Sequence, residues 1–334
     1  MAEGLQGSPV DVLVREDIEV SRAPIVATIL QGLGLDARVA REHEAELAPG
    51  RILLVGGNPR WFRRLLSRVA ALPPEQRPYV VVWHTEGLPM PAAAGFPPER
   101  LTLREVAKIV LRDRRINDQY SNARYLRRLS REGIVTVLAV VSQAHQAYLA
   151  EHGIESEFVP IGHHPTYGRQ LGLERDIPVL FLGEHRIRRR RQILERLRRD
   201  GLDILALGSA SPTKGHWGEA RTELLNRTKI LLNLPRYPGH LSDRVMMGMA
   251  TGALVVSEPM YLPAPFQPGV HYVESEVDEM ADTVRSYLAD DEARRRITDT
   301  AYTFLTELHT YEGVFARLLE LADRAVARAR PAPG

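Results

Sequence analysis

The sequence contains no cysteine, and that absence removes disulfides, thiolate metal sites and cysteine nucleophiles at once. Lysine is nearly absent too. Lys108, Lys214 and Lys229 are its only occurrences, so arginine carries almost all the positive charge. With 44 basic and 42 acidic residues, the formal net charge is only +2, which argues against non-specific nucleic-acid binding. Long apolar runs are missing as well. The longest, GIVTVLAVV (133–141), falls far short of the ~20 residues that cross a bilayer. The first residues, MAEGLQGSPV, show no basic region followed by an apolar stretch, so no secretory signal is read and the cytoplasm is the expected compartment.

Two motif classes are also lacking. Gly56 and Gly57 allow close backbone approach but form no G-x-G-x-x-G, and GSASPTKGHWG (208–218) is not a Walker loop. His163, His164, His185, His216 and His240 show no helical i, i+4 pairing, so no metal site is expected.

What is present is enough chain for two domains: 334 residues, 44% hydrophobic and 26% charged. Short runs rich in Val, Ile and Leu alternate with amphipathic stretches from end to end. In the first half, VDVLV (10–14), ARVA (37–40), RILLV (51–55), YVVVW (79–83) and IVTVLAVV (134–141) read as strands. Helical patterns lie between them at 22–33 and 59–71, the latter with Asn58 as N-cap and Pro59 at the first helical position. The pattern then restarts with IPVLFLG (177–183), LDILALG (202–208), KILLNL (229–234) and ALVVSE (253–258). The last third is helical, at 277–288, 291–308 and 311–328.

Continuous apolar strands separated by helices imply mainly parallel sheets covered on both faces. The expected fold is therefore α/β, two Rossmann-like domains facing across a cleft. FVPIGHHPTYG (158–168), rich in Pro and Gly, is the expected joint. The domains are expected at 1–160 on the acceptor side and 161–310 on the donor side, with helix 311–328 packing back on the first and a disordered tail at 329–334. Ligands of such sheets bind beyond the carboxyl ends of the strands, which selects the loops to inspect.

The sharpest loop follows KILLNL. Asn233, Pro235, Pro238, Gly239 and His240 lead to Ser242 or Asp243 as N-cap of a helix that Gly252 stops. The free amides of that helix start form a phosphate seat, and Arg244 in the first turn adds a fork of donors. Met246 and Met249 read as core packing. After the first strand of the second half comes GEHRIRRRRQILERLRR (183–199). Arg189, Arg190, Arg196, Arg198 and Arg199 read there as a solvated helix face, whereas Arg186 and Arg188 precede the helix in the loop. In 208–218, Gly208, Ser209 and Lys214 are placed to meet a base or phosphate. In the first half, WHTEGLP (83–89) offers His84 and Glu86 as a general base on an acceptor hydroxyl, or simply a histidine satisfying loop backbone. Residues 117–128, polar with Tyr120 and Tyr125, either line an acceptor groove or form a surface helix.

Five segments in order, TKILLN (228–233), RVMMGMATG (244–252), ALVVSE (253–258), FQPG (266–269) and HTY (309–311), resemble the donor half of the GT-B glycosyltransferases. The resemblance is to the group-1-like branch that includes CgeB-type spore-maturation proteins, and it covers about 178–325. It implies transfer of a sugar from a UDP-, GDP- or dTDP-sugar to an acceptor (saccharide, small molecule or protein), with no further cofactor and no metal. It implies that Arg186 and Arg188 bind the donor diphosphate. Together with the loops read above, the expected donor-binding set is Gly183, Arg186, Arg188, Gly208, Ser209, Lys214, Asn233, Pro235, His240, Ser242, Asp243, Arg244 and Glu258, and His84 and Glu86 remain the catalytic candidates. One departure stands out: the family glutamate that contacts the ribose is replaced by Met247, and Glu258 is the substitute expected. The alternative reading is a protein of the same fold that binds nucleotide or sugar without turnover.

Overall fold

The computed structural model describes residues 5–15, 22–96, 118–208 and 218–329. Ser209, Lys214 and the tail beyond Ala329 lie outside the described residues. The chain divides into two compact units, one formed by Met1–Ile161 with Glu312–Gly334, the other by Gly162–Tyr311.

The first unit holds β1 (Pro9–Val14), β2 (Asp36–Arg41), β3 (Ile52–Gly56), β4 (Tyr79–His84), β5 (Val137–Val140) and β6 (Glu157–Phe158) in one parallel sheet. Their spatial order is β2-β1-β3-β4-β5-β6. The helices are α1 (Ala23–Gly32), α2 (Arg63–Ala70), α3 (Gln119–Arg131) and α4 (Gln143–Glu151), joined by most of α10 (Tyr311–Ala329). Side-chain caps fix where three of these turns begin. Asn58 accepts from the Arg60 amide at 3.0 Å, Asp118 from Ser121 at 2.7 Å, and Ser142 from Ala144 at 3.2 Å. One face of the sheet buries Leu53, Val55, Val80, Val82 and Val140 against Leu65, Leu66 and Val69 of α2 and Leu126 and Leu129 of α3. Phe315 of α10 meets Trp83 of β4 edge to face, rings 5.4 Å apart, and the Trp83 indole N–H donates to the Val159 carbonyl at 2.8 Å.

The second unit holds β7 (Ile177–Leu182), β8 (Ile204–Leu207), β9 (Thr228–Asn233), β10 (Leu254–Ser257) and β11 (Val273–Glu274), parallel throughout, in the order β11-β10-β9-β7-β8. Its helices are α5 (Arg188–Arg199), α6 (Glu219–Asn226), α7 (Asp243–Thr251), α8 (Met280–Ala289) and α9 (Asp291–Thr303). Among the described residues, no helix is long and apolar enough to cross a membrane.

Several boundaries differ from the sequence reading. The run at 134–141 pairs only from Val137, because Thr136 uses its amide and hydroxyl on Val80 of the neighbouring strand instead. The helix read at 59–71 splits into a tight turn, Pro59–Phe62, and α2. The helix read at 277–288 starts at Met280, and the one read to 308 ends at Thr303 in a wide π-type turn. The two-residue strands β6 and β11 are too short to carry a period.

Each sheet changes direction once. In the first unit the chain leaves β1 and β3 toward opposite faces, and in the second β7 and β9 do the same. Crevices for ligands form at such points, beyond the strand carboxyl ends.

Candidate functional site

In the second unit the turning point gathers an arginine pair. Arg190 lies on the inner face of α5 with Ile193, Leu194 and Leu197, and all four are buried. Its Nε donates to the Leu234 carbonyl at 2.9 Å and its Nη1 to the Glu184 carbonyl at 3.2 Å. Arg244, in the first turn of α7, donates from Nη2 to the same Leu234 carbonyl at 3.0 Å and from Nε to Asn233 Oδ1 at 3.2 Å. Both guanidinium groups lie over the Phe181 ring, at 5.7 and 5.6 Å from its centroid. Among the described residues, neither makes an ion pair; each hydrogen-bonds to neutral oxygens. Burial draws Arg190 down to about 10, with Arg236 and Arg189 adding repulsion. Burial and then the Arg190 charge draw Arg244 down to about 9. The two cations are thus held close together, each bonded to neutral oxygens.

The surrounding residues shape that site. Gly183 has φ +151°, and a Cβ there would lie 3.0 Å from Arg244 Nη1, so only glycine lets the guanidinium sit against the strand end. Ser242 occupies the N-cap position of α7 but caps nothing: its hydroxyl donates to Asn233 Oδ1 at 2.6 Å. The expectation of a side-chain cap at Ser242 is thereby corrected, because Asn233 claims the hydroxyl and holds strand end and helix start together. Asn233 also donates to Ser257 Oγ at 2.9 Å. Asp243 is exposed in the first turn. His240 packs edge-on to Tyr237 at 5.5 Å, and its Nδ1 lies 3.3 Å from the Pro238 carbonyl. Pro235 is buried, and its carbonyl accepts from Arg189. Gly208, the last described residue of its strand end, leaves room for the His185 ring, whose Cε1 would lie 3.5 Å from a Cβ there. His185 Nδ1 is buried with no hydrogen-bond partner among the described residues.

The basic run after β7 is sorted differently from the sequence reading. Arg186 and Arg188 are exposed, and Arg188 is the first residue of α5 rather than ahead of it. Arg189 and Arg190, read as solvated, are not. Arg189 grips Glu258 through both carboxylate oxygens, one at 3.0 Å. Glu258 itself is buried. The reason is helical phase: positions 190, 193, 194 and 197 form one i, i+3, i+4, i+7 stripe, which the other six arginines of α5 hide in the sequence. Met246 and Met249 are buried in the core, and Met247 packs partly buried against the Leu180, Leu182, Leu225 and Leu231 cluster.

In the first unit His84, the last residue of β4, is fully buried. Neither ring nitrogen meets a partner in hydrogen-bond geometry, although the Gly57 and Glu86 backbones lie near, and desolvation pulls the ring down to about 4. A histidine so weakly basic is a poor acceptor of a hydroxyl proton near neutral pH. Glu86 is partly buried in the loop that follows. Among the described residues, no three His, Asp or Glu side chains gather into a metal-holding cluster.

Residues 188–320 match the family model described as glycosyl transferase-like. Solved structures match over nearly the whole chain. HepE from Anabaena, solved with UDP and glucose, is 11% identical, with 94% of this chain and 98% of HepE covered at a TM-score of 0.60. Sucrose-phosphate synthase from Thermosynechococcus elongatus is 11% identical, with 96% and 100% covered at 0.60. The fold is that of the GT-B glycosyltransferases. TarM of S. aureus shares this GT-B fold at 12% identity and a TM-score of 0.58; 82% of this chain is covered, and the chain spans 55% of TarM. No curated protein sequence matches the chain.

Proposed function

We propose that the chain is a glycosyltransferase that moves a sugar from a nucleoside-diphosphate sugar to an acceptor. The observation that carries this is the Arg190–Arg244 pair, one buried and one half-buried guanidinium at the β7/β9 turning point with no bonded carboxylate. A diphosphate fits that need, because its charge grows as the glycosyl C1–O bond breaks and the pair stabilises the departing group. The new bond forms between C1 and the acceptor oxygen, and the acceptor proton leaves to the departing phosphate or to water. His84 is not required as a base. The α7 start, with Asp243 and Arg244 in its first turn, adds backbone donors, and His240 and Gly183 line the same strand ends. Arg186 from the exposed loop and Arg188 from the first turn of α5 serve the outer phosphate, and Gly208 belongs to the nucleoside side. HepE's complex with UDP and glucose supports a uridine nucleotide among the three candidates. The 244–252 and 253–258 segments support the CgeB-like branch, and a cytoplasmic location goes with it.

A second reading draws on Met247. That side chain packs toward an apolar cluster, and Glu258, the nearest substitute carboxylate, is already engaged by Arg189. A protein that binds nucleotide without turnover fits those two facts. Incubation with UDP-, GDP- and dTDP-sugars separates the readings. Release of nucleoside diphosphate, quickened by an acceptor panel, is the result expected. Tight nucleotide binding with no release of diphosphate from any donor would establish the second reading instead.

A further inference from the structure

α7 carries Arg244 in its first turn, and the side chains that seat the rest of the helix specify its position loosely. Met246 and Met249 are buried, Met247 packs partly buried against leucines, and methionine is a flexible side chain that fits many shapes. At Gly248 a Cβ would stand 2.4 Å from Val255 Cγ2 and 3.2 Å from Leu231 Cδ2, so the closest approach to the sheet is made without a side chain to key the helix in place. Polar contacts at the two ends therefore set where α7 stands along its own axis. Asn233 holds the first end, accepting from both Ser242 Oγ and Arg244 Nε.

The far end is held by the stretch of chain ahead of β7. Arg175 donates from Nη2 to the carbonyl of Thr251, the last residue of α7, at 2.7 Å. Its Nη1 donates to the Thr228 carbonyl at the start of β9 and reaches the Leu225 carbonyl of α6 at 3.4 Å. One guanidinium thus ties the C-terminal end of α7 to α6 and to the middle strand of the sheet, at the end where a cation also suits the helix dipole. Gly252, φ +70°, makes room for it: a Cβ there would lie 2.7 Å from Arg175 Nη2 and 2.9 Å from Gln170 Nε2. Gly168, φ +141°, brings the same stretch against the helix end, since its Cβ would lie 2.7 Å from Thr251 Cγ2. The stretch is itself anchored by the buried Asn226, which accepts from the Leu171 amide at 2.7 Å and donates to the Arg169 carbonyl at 2.8 Å.

We propose that Arg175 is a positioning residue for Arg244: by fixing the C-terminal end of α7 it sets where that guanidinium stands at the other end, roughly 10 Å away along the helix. Arg190 provides an internal reference. It reaches the same Leu234 carbonyl from α5, through bonds that do not involve α7. The hold of Arg175 on α7 stands on this geometry alone. That moving Arg244 alters nucleotide binding rests on the glycosyl-transfer reading above.

The test follows the side-chain Nε–H signals of Arg244 and Arg190 by NMR in the full chain, for the wild type, Arg175→Met and Arg175→Lys, alongside calorimetric titration with UDP. Hydrogen exchange at Arg244 Nε–H is expected to quicken about tenfold in Arg175→Met, with Arg190 Nε–H unchanged. UDP affinity is expected to fall about tenfold in the same variant. Arg175→Lys, which keeps the charge but not the fork, is expected to show a smaller change of the same kind, and it carries the comparison if Arg175→Met fails to fold. An arginine that only stabilises the unit would quicken both signals alike or neither, and either result would overturn the proposal. So would unchanged UDP affinity in the variants when the wild type binds UDP. If the wild type does not bind UDP, the glycosyl-transfer reading fails, and the two Nε–H signals still decide the role of Arg175.

Discussion

Arg190 and Arg244 donate to one and the same oxygen, the Leu234 carbonyl, at 2.9 and 3.0 Å. They come from different helices, α5 and α7, on either side of the β7/β9 turning point. Their other acceptors, the Glu184 carbonyl for Arg190 and Asn233 Oδ1 for Arg244, are neutral too. Burial first, and then the charge of neighbouring arginines, draws both groups downward. Four expectations follow from the residues around this pair and from the buried histidine of the first unit.

Gly183→Ala places a Cβ 3.0 Å from Arg244 Nη1 at a φ of +151°. The guanidinium must shift or the backbone must strain, at a cost of about 1–3 kcal/mol. UDP affinity, measured by calorimetry, is expected to fall about tenfold.

Glu258→Gln keeps the side-chain shape but releases Arg189 from its ion pair. Arg189 also touches the Pro235 carbonyl beside the arginine pair, so freeing it adds a cation to the site. Pyrophosphate affinity is expected to rise several-fold. A drop in UDP affinity with pyrophosphate unchanged would instead assign Glu258 to the ribose.

Gly248→Ala tests the seat of α7. A Cβ there would lie 2.4 Å from Val255 Cγ2 and 3.3 Å from the Ala253 carbonyl, so the helix must lift off β10. Overpacking of this kind costs about 1–3 kcal/mol, read as a lower midpoint in urea unfolding.

His84 gives a pH dependence whose sign is fixed. Its folded value, about 4, lies below the ordinary histidine value of 6.5, so the unfolded chain binds more protons between those two values. Stability is therefore complete above pH 6.5 and declines as pH falls toward 4. A shift of that size is worth about 3 kcal/mol. His84→Leu is expected to remove that decline, seen as a flatter plot of unfolding free energy against pH.

The strands, their parallel arrangement and the loop after β9 were legible in the sequence because continuous Val, Ile and Leu runs bounded by Gly, Pro and Asn have few other uses. Arg244 was legible for the same reason, since it stands in the first turn of a helix between two such runs. Arg190 was not. In a run of arginines the polar side chains hide the apolar stripe, and only Ile193, Leu194 and Leu197 at the right phase betray which arginine turns inward. His84 was legible as a residue but not in its state: the sequence places it at a strand end, whereas its neighbours in three dimensions bury it and keep it neutral. Glu258 was legible as a carboxylate at a strand end, but its partner Arg189 lies 69 positions away, beyond the reach of any local pattern.

The central claim is that the Arg190–Arg244 pair binds the diphosphate of a nucleotide donor. Calorimetric titration of UDP into the wild-type chain and into Arg244→Gln tests it most directly. The account predicts saturable binding to the wild type and a loss of about 1.5–3 kcal/mol in the variant, the range for a hydrogen bond to a charged group. Equal affinity of the two proteins for UDP, with both folded, would contradict it.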